Sequence, residues 1–306
     1  MSKKNMEIRS VPKEVFEEYI NRGYNSKEIA KEFGVSLDLI YRVLKGLGLH
    51  TNYDLIRDRY AKFNIHKFDI IDTEEKAYWL GMLYSDGCVD TRYWRLCLGL
   101  AEKDKEHVFK FKKFLEDTRE DSYVRIYNEE LNGKHFKSFR YTVHNKYFTN
   151  NLIKLGCIPN KSLVLKFPNE NIFSRKELIY DFIRGYIDGD GSISTNGRKR
   201  HRMRISVLGT LDVLEGIKKY FPQFNKITKR KNIYVMSCSA NKADQVGYKL
   251  YENATIYLER KRQNYATLCK LHNSETSDKI GESCDANAEV TPEIAKGSES
   301  TVENSE

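Results

Sequence analysis

Asp86 and Asp190 are the side chains in this sequence whose surroundings point most directly to chemistry. The first closes the stretch Trp79-Leu80-Gly81-Met82-Leu83-Tyr84-Ser85-Asp86, followed by Gly87. The second closes Phe182-Ile183-Arg184-Gly185-Tyr186-Ile187-Asp188-Gly189-Asp190, followed by Gly191. In both, an apolar run carries a glycine, an aspartate follows five residues later, and a further glycine stops the run. From position 86 to position 190 the offset is 104 residues, so the repeated unit is a small domain and not a solenoid repeat of roughly 20–50 residues.

If each run is a helix, Gly87 and Gly191 sit where a C-terminal glycine ends it, and the aspartates occupy the last turn. That is the negative end of the helix dipole, an unfavourable place for a carboxylate unless a cation offsets it. Gly81 and Gly185 would let two such helices pack backbone to backbone, which brings the two carboxylates together at one end of the seam. Paired carboxylates there make a strong site for a divalent metal such as magnesium, with positions left open for water and phosphate.

The elements that must position this pair can be read on either side of each motif. Thr73 is placed to cap the first motif helix, with Glu74 and Glu75 in its first turn. Beyond Gly87, Leu96, Leu98 and Leu100 alternate with Arg95, Cys97 and Gly99, which is a strand with one buried face. A helix follows over 105–115. Two more strands come next, with Val124 and Ile126 inward opposite Arg125, then Phe139, Tyr141 and Val143 inward opposite Arg140. A helix over 146–155 closes the unit. The second half repeats this order: a hairpin of 192–194 and 203–207 around the Arg198-Lys199-Arg200 loop, a helix over 211–220, a hairpin of 226–229 and 233–239, and a helix over 241–251. Met203, Ile205 and Val207 face inward there, and Arg202 and Arg204 outward. Each sheet then offers an apolar face to helices and a face rich in Arg, Lys and Tyr to a partner, which suits the major groove of DNA.

Ahead of these halves, residues 11–50 read as three short helices. Ser26 is expected to cap the second, Gly34 to make a left-handed turn, and Ser36 to cap the third. The order Ile29-Ala30, Gly34-Val35-Ser36, Ile40, Val43 resembles a helix-turn-helix, with Tyr41, Arg42 and Lys45 facing DNA. A three-helix docking module is the alternative. Residues 51–72 lack periodicity and read as a linker, and 159–174 as a second one.

Length and charge agree with this division. The 306 residues suffice for two or three domains. The net charge of +9 is uneven, because residues 273–306 hold nine acidic and two basic side chains, which leaves +16 on the rest. The body is therefore a polyanion binder, and twenty tyrosines suit DNA contact, although charge alone fits RNA or an acidic membrane equally well. The acidic tail is expected to be disordered. Neither an apolar span nor a signal core is evident, so a soluble, cytoplasmic protein without membrane partners is expected. Six cysteines without C-x-x-C spacing read as reduced, and no zinc site is expected.

At the two motifs the sequence resembles the LAGLIDADG homing endonucleases of the single-chain, two-motif type. The second copy keeps Gly185, Asp188, Asp190 and Gly191, whereas the first has Tyr84 in place of the earlier Asp. Leu155-Gly156-Cys157-Ile158-Pro159-Asn160-Lys161-Ser162 and Tyr257-Leu258-Glu259-Arg260-Lys261-Arg262 look like the family's stretches after each sheet. The resemblance implies an α+β protein of two pseudo-symmetric αββαββα domains (73–158 and 175–272) with saddle-like antiparallel sheets, joined to the small all-α helix-turn-helix domain of residues 1–50. It implies Asp86 and Asp190 as ligands of Mg2+, with Mn2+ as a substitute, and Lys161 and Lys261 near the metals as catalytic residues or phosphate clamps. It also implies a monomer that cuts both strands of double-stranded DNA. Expected DNA contacts are Arg95, Arg125, Arg140, Arg198, Arg200, Arg202, Arg204, Lys229 and Arg230. A regulator or an intron RNA maturase that has lost cleavage is the alternative.

Overall fold

The computed structural model describes residues 8–131, 133–195 and 203–269; Arg198, Arg200, Arg202 and the acidic tail lie outside them. The N-terminal unit is three helices, α1 (Lys13–Asn21), α2 (Ser26–Glu32) and α3 (Leu37–Gly46), closed over Phe16, Ile20, Ile29, Leu39, Ile40 and Leu44. Gly34 takes the left-handed φ of +63° between α2 and α3, and Ser36 Oγ accepts the Leu39 N–H at 3.3 Å. Ser26 does not cap α2. Asn25 does so instead, accepting from Glu28 N at 3.0 Å while the Glu28 carboxylate accepts from Asn25 N at 2.9 Å. This reciprocal box satisfies two free N–H groups, so it displaces the single bond that serine could offer.

Residues 51–72 are not a linker. They form helix α4 (Tyr53–Arg59) and then insert Phe63, Ile65, Phe68 and Ile71 into the main core. No period announces them because this is packed loop, whose apolar residues follow the shape of the core and not a helix or strand repeat. The segment 159–174 is likewise tied down: Leu165 and Phe173 are buried, and Phe173 bridges to Ile71.

The body then follows the repeated order. The first half runs α5 (Glu74–Asp86), β1 (Gly87–Asp90), β2 (Arg95–Ala101), α6 (Lys105–Phe114), β3 (Val124–Leu131), β4 (Lys134–His144) and α7 (Lys146–Lys154). The second runs α8 (Leu178–Asp190), β5 (Gly191–Thr195), β6 (Met203–Gly209), α9 (Leu211–Tyr220), β7 (Thr228–Arg230), β8 (Ile233–Ser239) and α10 (Asn241–Tyr251), after which residues 259–269 form α11. The two sheets have the same antiparallel plan, β1-β2-β4-β3 and β5-β6-β8-β7. Leu96, Leu98, Tyr141 and Val143 bury one face of the first, and Met203, Ile205, Val207, Met236 and Cys238 one face of the second. Ile126, expected inward, is on the apolar face opposite buried Phe139 but is exposed, because β3 is the edge strand of the sheet. A single apolar core runs through both halves. Among the described residues no helix is long and apolar enough to cross a membrane.

The halves join along α5 and α8. A side chain on Gly81 would overlap the Phe182 carbonyl oxygen and lie 2.9 Å from Tyr186 N; one on Gly185 would overlap the Tyr78 carbonyl and lie 2.9 Å from Met82 N. Backbone therefore meets backbone, as the two glycines require. Gly87 and Gly191 end the helices differently from the expected left-handed cap. Their φ values of −73° and −97° are extended, and the chain passes straight from helix into strand. Glycine is needed there because a Cβ on Gly87 would lie 2.5 Å from Leu83 O, and one on Gly191 would overlap Ile187 O.

Gly185→Ala is expected to lower stability by about 2–3 kcal/mol, since the atom it meets is backbone that cannot rotate away. Gly46→Ala, at a helical position with nothing within 4 Å, should leave stability unchanged or raise it by up to about 1 kcal/mol. Urea midpoints of the two variants measure the contrast.

Candidate active site

At the foot of the seam the last turns of α5 and α8 are in contact. A Cβ on Gly189 would overlap Ser85 Oγ and lie 2.5 Å from Asp86 Oδ2, so the Asp86 carboxylate reaches the residue next to Asp190. Both aspartates are partly buried. Burial, and then the negative charge of Asp190, push the Asp86 carboxyl up to about 6, with Lys261 and Lys161 pulling the other way. Asp190 is also raised by burial, against Lys161, the Tyr186 hydroxyl and Lys261. A cavity of about 220 Å³ opens beside Asp190, lined in part by Ser85, Lys161, Tyr186 and Thr210.

Both expected lysines arrive at this place, in a role set by helix geometry. The last carbonyls of a helix have no partner within it. Lys161 Nζ donates to the carbonyls of Ser85, at 2.9 Å, and Gly87. Lys261 Nζ donates to those of Ile187, Asp188, Gly189 and Gly191 at 2.8, 2.5, 3.2 and 2.6 Å. Each ammonium thus caps one motif helix and projects its charge onto both aspartates. Lys261 is 3% exposed, and burial brings its ammonium down to about 8 against the pull of Asp188. Its three hydrogens are committed to four acceptors, which leaves none free for a further partner.

Among the described residues no cluster of three or more His, Cys, Asp or Glu side chains is placed to hold a metal. Two carboxylates beside an open cavity, with raised affinity for protons, suit a hard cation that keeps its waters and takes remaining ligands from phosphate, as magnesium does.

Behind the site lies a buried polar network that sequence reading did not single out. Asp188 is 1% exposed and accepts from Tyr78 Oη at 2.9 Å, Tyr251 Oη at 2.7 Å and Leu258 N at 2.6 Å. The Tyr78 hydroxyl spends its proton on Asp188, so His107 Nε2, 2.8 Å away, must be the donor to it. His107 Nδ1 is then a buried acceptor with no partner. In the first motif Tyr84 stands where Asp188 stands in the second, and donates to the Leu155 carbonyl at 2.6 Å. Each residue fastens the segment that delivers its half's lysine. At the far end of the seam Arg184 pairs with Glu74 at 2.6 Å and Asp181 at 2.9 Å, and Glu74 accepts from Thr255 N and Oγ1 at 2.8 Å. A charged Arg184 inside an apolar motif was the one sequence signal for this clasp.

The outer sheet faces divide the expected basic contacts. Arg125 and Arg140 are directly opposite on the exposed face of the first sheet, and Gly99, opposite Arg140 on β2, leaves room for its stem. Arg140 pairs with Glu129 and lies 4.6 Å from the Tyr127 ring centre, and Arg95 pairs with Asp90 at 2.9 Å. On the second sheet Arg204 and Arg230 share the outer face. Lys229 does not: it pairs in register with Tyr234 on the opposite side, at the exposed sheet edge. That outer face is less basic than expected, with Ser192, Ser194, Ser206, Ser237 and Ser239 along it. On α3, Tyr41, Arg42 and Lys45 are exposed, and Arg42 is ion-paired with Asp38 at 2.5 Å.

No family model and no curated protein matches the chain. Among solved structures it is similar to the homing endonuclease I-WcaI bound to its DNA recognition sequence, at 14% identity and a TM-score of 0.47, over 71% of this chain and 96% of that one. It is similar to the LAGLIDADG meganuclease I-AabMI bound to uncleaved DNA, at 13% identity and 0.43, over 65% and 92%. A third likeness is to full-length DUF199/WhiA from Thermatoga maritima, at 16% identity and 0.41, over 74% and 75%.

His107 sets a pH dependence whose sign follows from its burial. Burial, and then the Lys110 charge, lower its pKa from the ordinary 6.5 to about 3, with Asp104 opposing. Between those values the unfolded chain holds one proton more than the folded chain, so stability present above about pH 6.5 is lost as pH falls toward 3. The contribution is about 1.4 kcal/mol per pH unit at most. His107→Gln, which keeps a donor for Tyr78, should flatten the acid limb of urea midpoint against pH by about one proton; an unchanged slope would refute the assignment.

Proposed function

We propose that the chain is a LAGLIDADG-type, magnesium-dependent endonuclease that cuts both strands of a specific double-stranded DNA site. The observation that carries this reading is the meeting of Asp86 and Asp190 at the foot of a glycine-packed seam between two duplicated halves. Two outward sheet faces bearing Arg95, Arg125, Arg140, Arg204 and Arg230 supply electrostatic hold on the backbone and, through arginine, recognition of guanine.

In the bound state Asp86 and Asp190 would hold the metal, which supplies Lewis acidity toward phosphate and water. The protein's own residues do the rest. Asp86 and Asp190 are kept in place by the contact of the two helix ends, so little reorganisation is needed when charge builds up on the phosphate. Lys161 and Lys261 hold six carbonyl groups at the helix ends beside the site and offset negative charge there; they act as positioning residues. The Tyr186 hydroxyl, beside Asp190 in the same cavity, donates to the Leu208 carbonyl at 3.1 Å. The helix-turn-helix adds affinity for the same duplex, and the chain acts as a monomer because both halves of the site lie within it.

Asp86→Asn and Asp190→Asn are expected to lower plasmid linearisation in magnesium by at least about 100-fold while leaving DNA affinity within about threefold. Binding by the unaltered chain to a selected target without any cut would instead favour a DNA-binding regulator on the same architecture.

A further inference from the structure

Helix α4 has a place in the structure that none of the preceding roles accounts for. One side of it is fastened to the helix-turn-helix. Arg59 pairs with Glu28 of α2 at 2.9 Å, and its guanidinium lies 3.8 Å from the Tyr24 ring centre. The Tyr60 hydroxyl donates to the same Glu28 carboxylate. Gly23, with a left-handed φ of +76°, lets the chain approach so closely that a Cβ there would lie 2.5 Å from the Leu55 carbonyl.

The other side of α4 is fastened to the first half of the body. Asp54 accepts from Lys146 Nζ at 2.6 Å, and Asp58 accepts from Asn145 Nδ2 at 2.6 Å. Asn145 is 1% exposed. It caps α7 by accepting from Phe148 N at 2.8 Å, and its own N–H donates to the Trp94 carbonyl at 2.9 Å. Trp94 lies in the turn between β1 and β2, the end of that hairpin away from the helix seam. A continuous chain of short polar contacts therefore runs from α2 through α4 and the start of α7 to the first sheet.

We propose that α4 is a rigid bracket. It holds the helix-turn-helix on the outer flank of the first sheet, so that α3 engages the same duplex beyond the first half-site at a fixed helical phase. The bound DNA site is then longer on one side than on the other. This rests on the DNA-cleaving reading above. The occupant of α3 is taken as DNA because Tyr41, Arg42 and Lys45 are all exposed on it, with Lys27 exposed at the start of α2, and because the bracket fastens this unit to the half whose sheet carries Arg95, Arg125 and Arg140. A flexible tether would need none of the α4 contacts, and it would tolerate any spacing of the flank.

The test uses the full chain and a target selected from random DNA by binding. Affinity is measured by fluorescence anisotropy on the intact target and on one with about half a helical turn, ~5 bp, inserted between core and flank. The insertion is expected to weaken binding by about 10- to 100-fold, as much as Tyr41→Ala/Lys45→Ala does on the intact target. Cutting the bracket with Asp54→Ala/Asp58→Ala/Arg59→Ala should weaken binding to the intact target and abolish the difference between the two spacings. Hydroxyl-radical protection should extend past the core on one side only. If the insertion has no effect while Tyr41→Ala/Lys45→Ala does, α4 is a tether and the proposal is wrong. If neither has an effect, α3 does not touch DNA and it is equally wrong. Cleavage of core-only DNA by the unaltered chain reports separately on the nuclease reading, which stands or falls without the bracket.

Discussion

Contact between the backbones of α5 and α8 is the constraint from which the rest of the body follows. At ordinary helix spacing of about 8–10 Å, side chains separate two axes; here Gly81 and Gly185 remove them, and each faces a carbonyl of the other helix. Closeness of that kind fixes the axial register of the two helices, since a slide of one residue would put a side chain where a glycine has to be. With the register fixed, both helices end at the same level. Their unpaired carbonyls then lie side by side, and so do Asp86 and Asp190. The same contact explains why each helix runs into its first strand without a loop, because the sheets have to diverge at once from the point where the helices converge.

The polar groups behind the seam make this register costly to leave. Asp188 belongs to α8 yet is satisfied by Tyr78 of α5, Tyr251 of α10 and the backbone of Leu258. Withdrawing any one donor leaves a buried carboxylate short of a partner. Arg184 and Glu74 do the equivalent at the opposite end, tying α8, α5 and the 255–256 backbone together. Apolar burial holds the halves together, and these groups decide how they meet. The halves are also not copies in detail. Tyr84 fastens one lysine segment by donating to a carbonyl, whereas Asp188 fastens the other by accepting from an N–H, so Lys261 ends more buried and more fully bonded than Lys161.

The repeated order of elements, the glycine seam and the pair of aspartates were legible from the sequence because each depends on local periodicity or on a residue type with few alternatives. A glycine inside an apolar run has little reason to be there except a close approach. Residues 51–72 were not legible: Phe63, Ile65, Phe68 and Ile71 fill gaps in a core that the sequence does not display, so no period marks them. The capping residue of α2 was misplaced by one, from Asn25 to Ser26, because both types cap well and only the reciprocal bond with Glu28 separates them. Lys229 was assigned to the wrong sheet face through a strand too short to establish its alternation. Lys161 and Lys261 were found, but their carbonyl partners depend on where two distant segments return to the helix ends, and that is a tertiary fact.

Counting charge at the foot of the seam shows why the lysines and the aspartates belong to one arrangement. The two carboxylates carry two negative charges, and the two helix ends add about half a charge each. Lys161 and Lys261 return two positive charges. About one negative charge is left over in a partly buried place, where burial first, and then the neighbouring Asp190 charge, push the Asp86 carboxyl up to about 6. A surface of this sign repels a phosphate group. A divalent cation held there would reverse the sign, and the site would then attract what it had repelled. Without the lysines the excess would be about three, and a single cation would leave the site negative; with lysines reaching substrate in place of the carbonyls, the helix ends would go uncapped. Binding the ammonium groups to the helix ends therefore serves the fold and, on the proposed function, would set the charge at which a two-carboxylate site could accept both a metal and a phosphate.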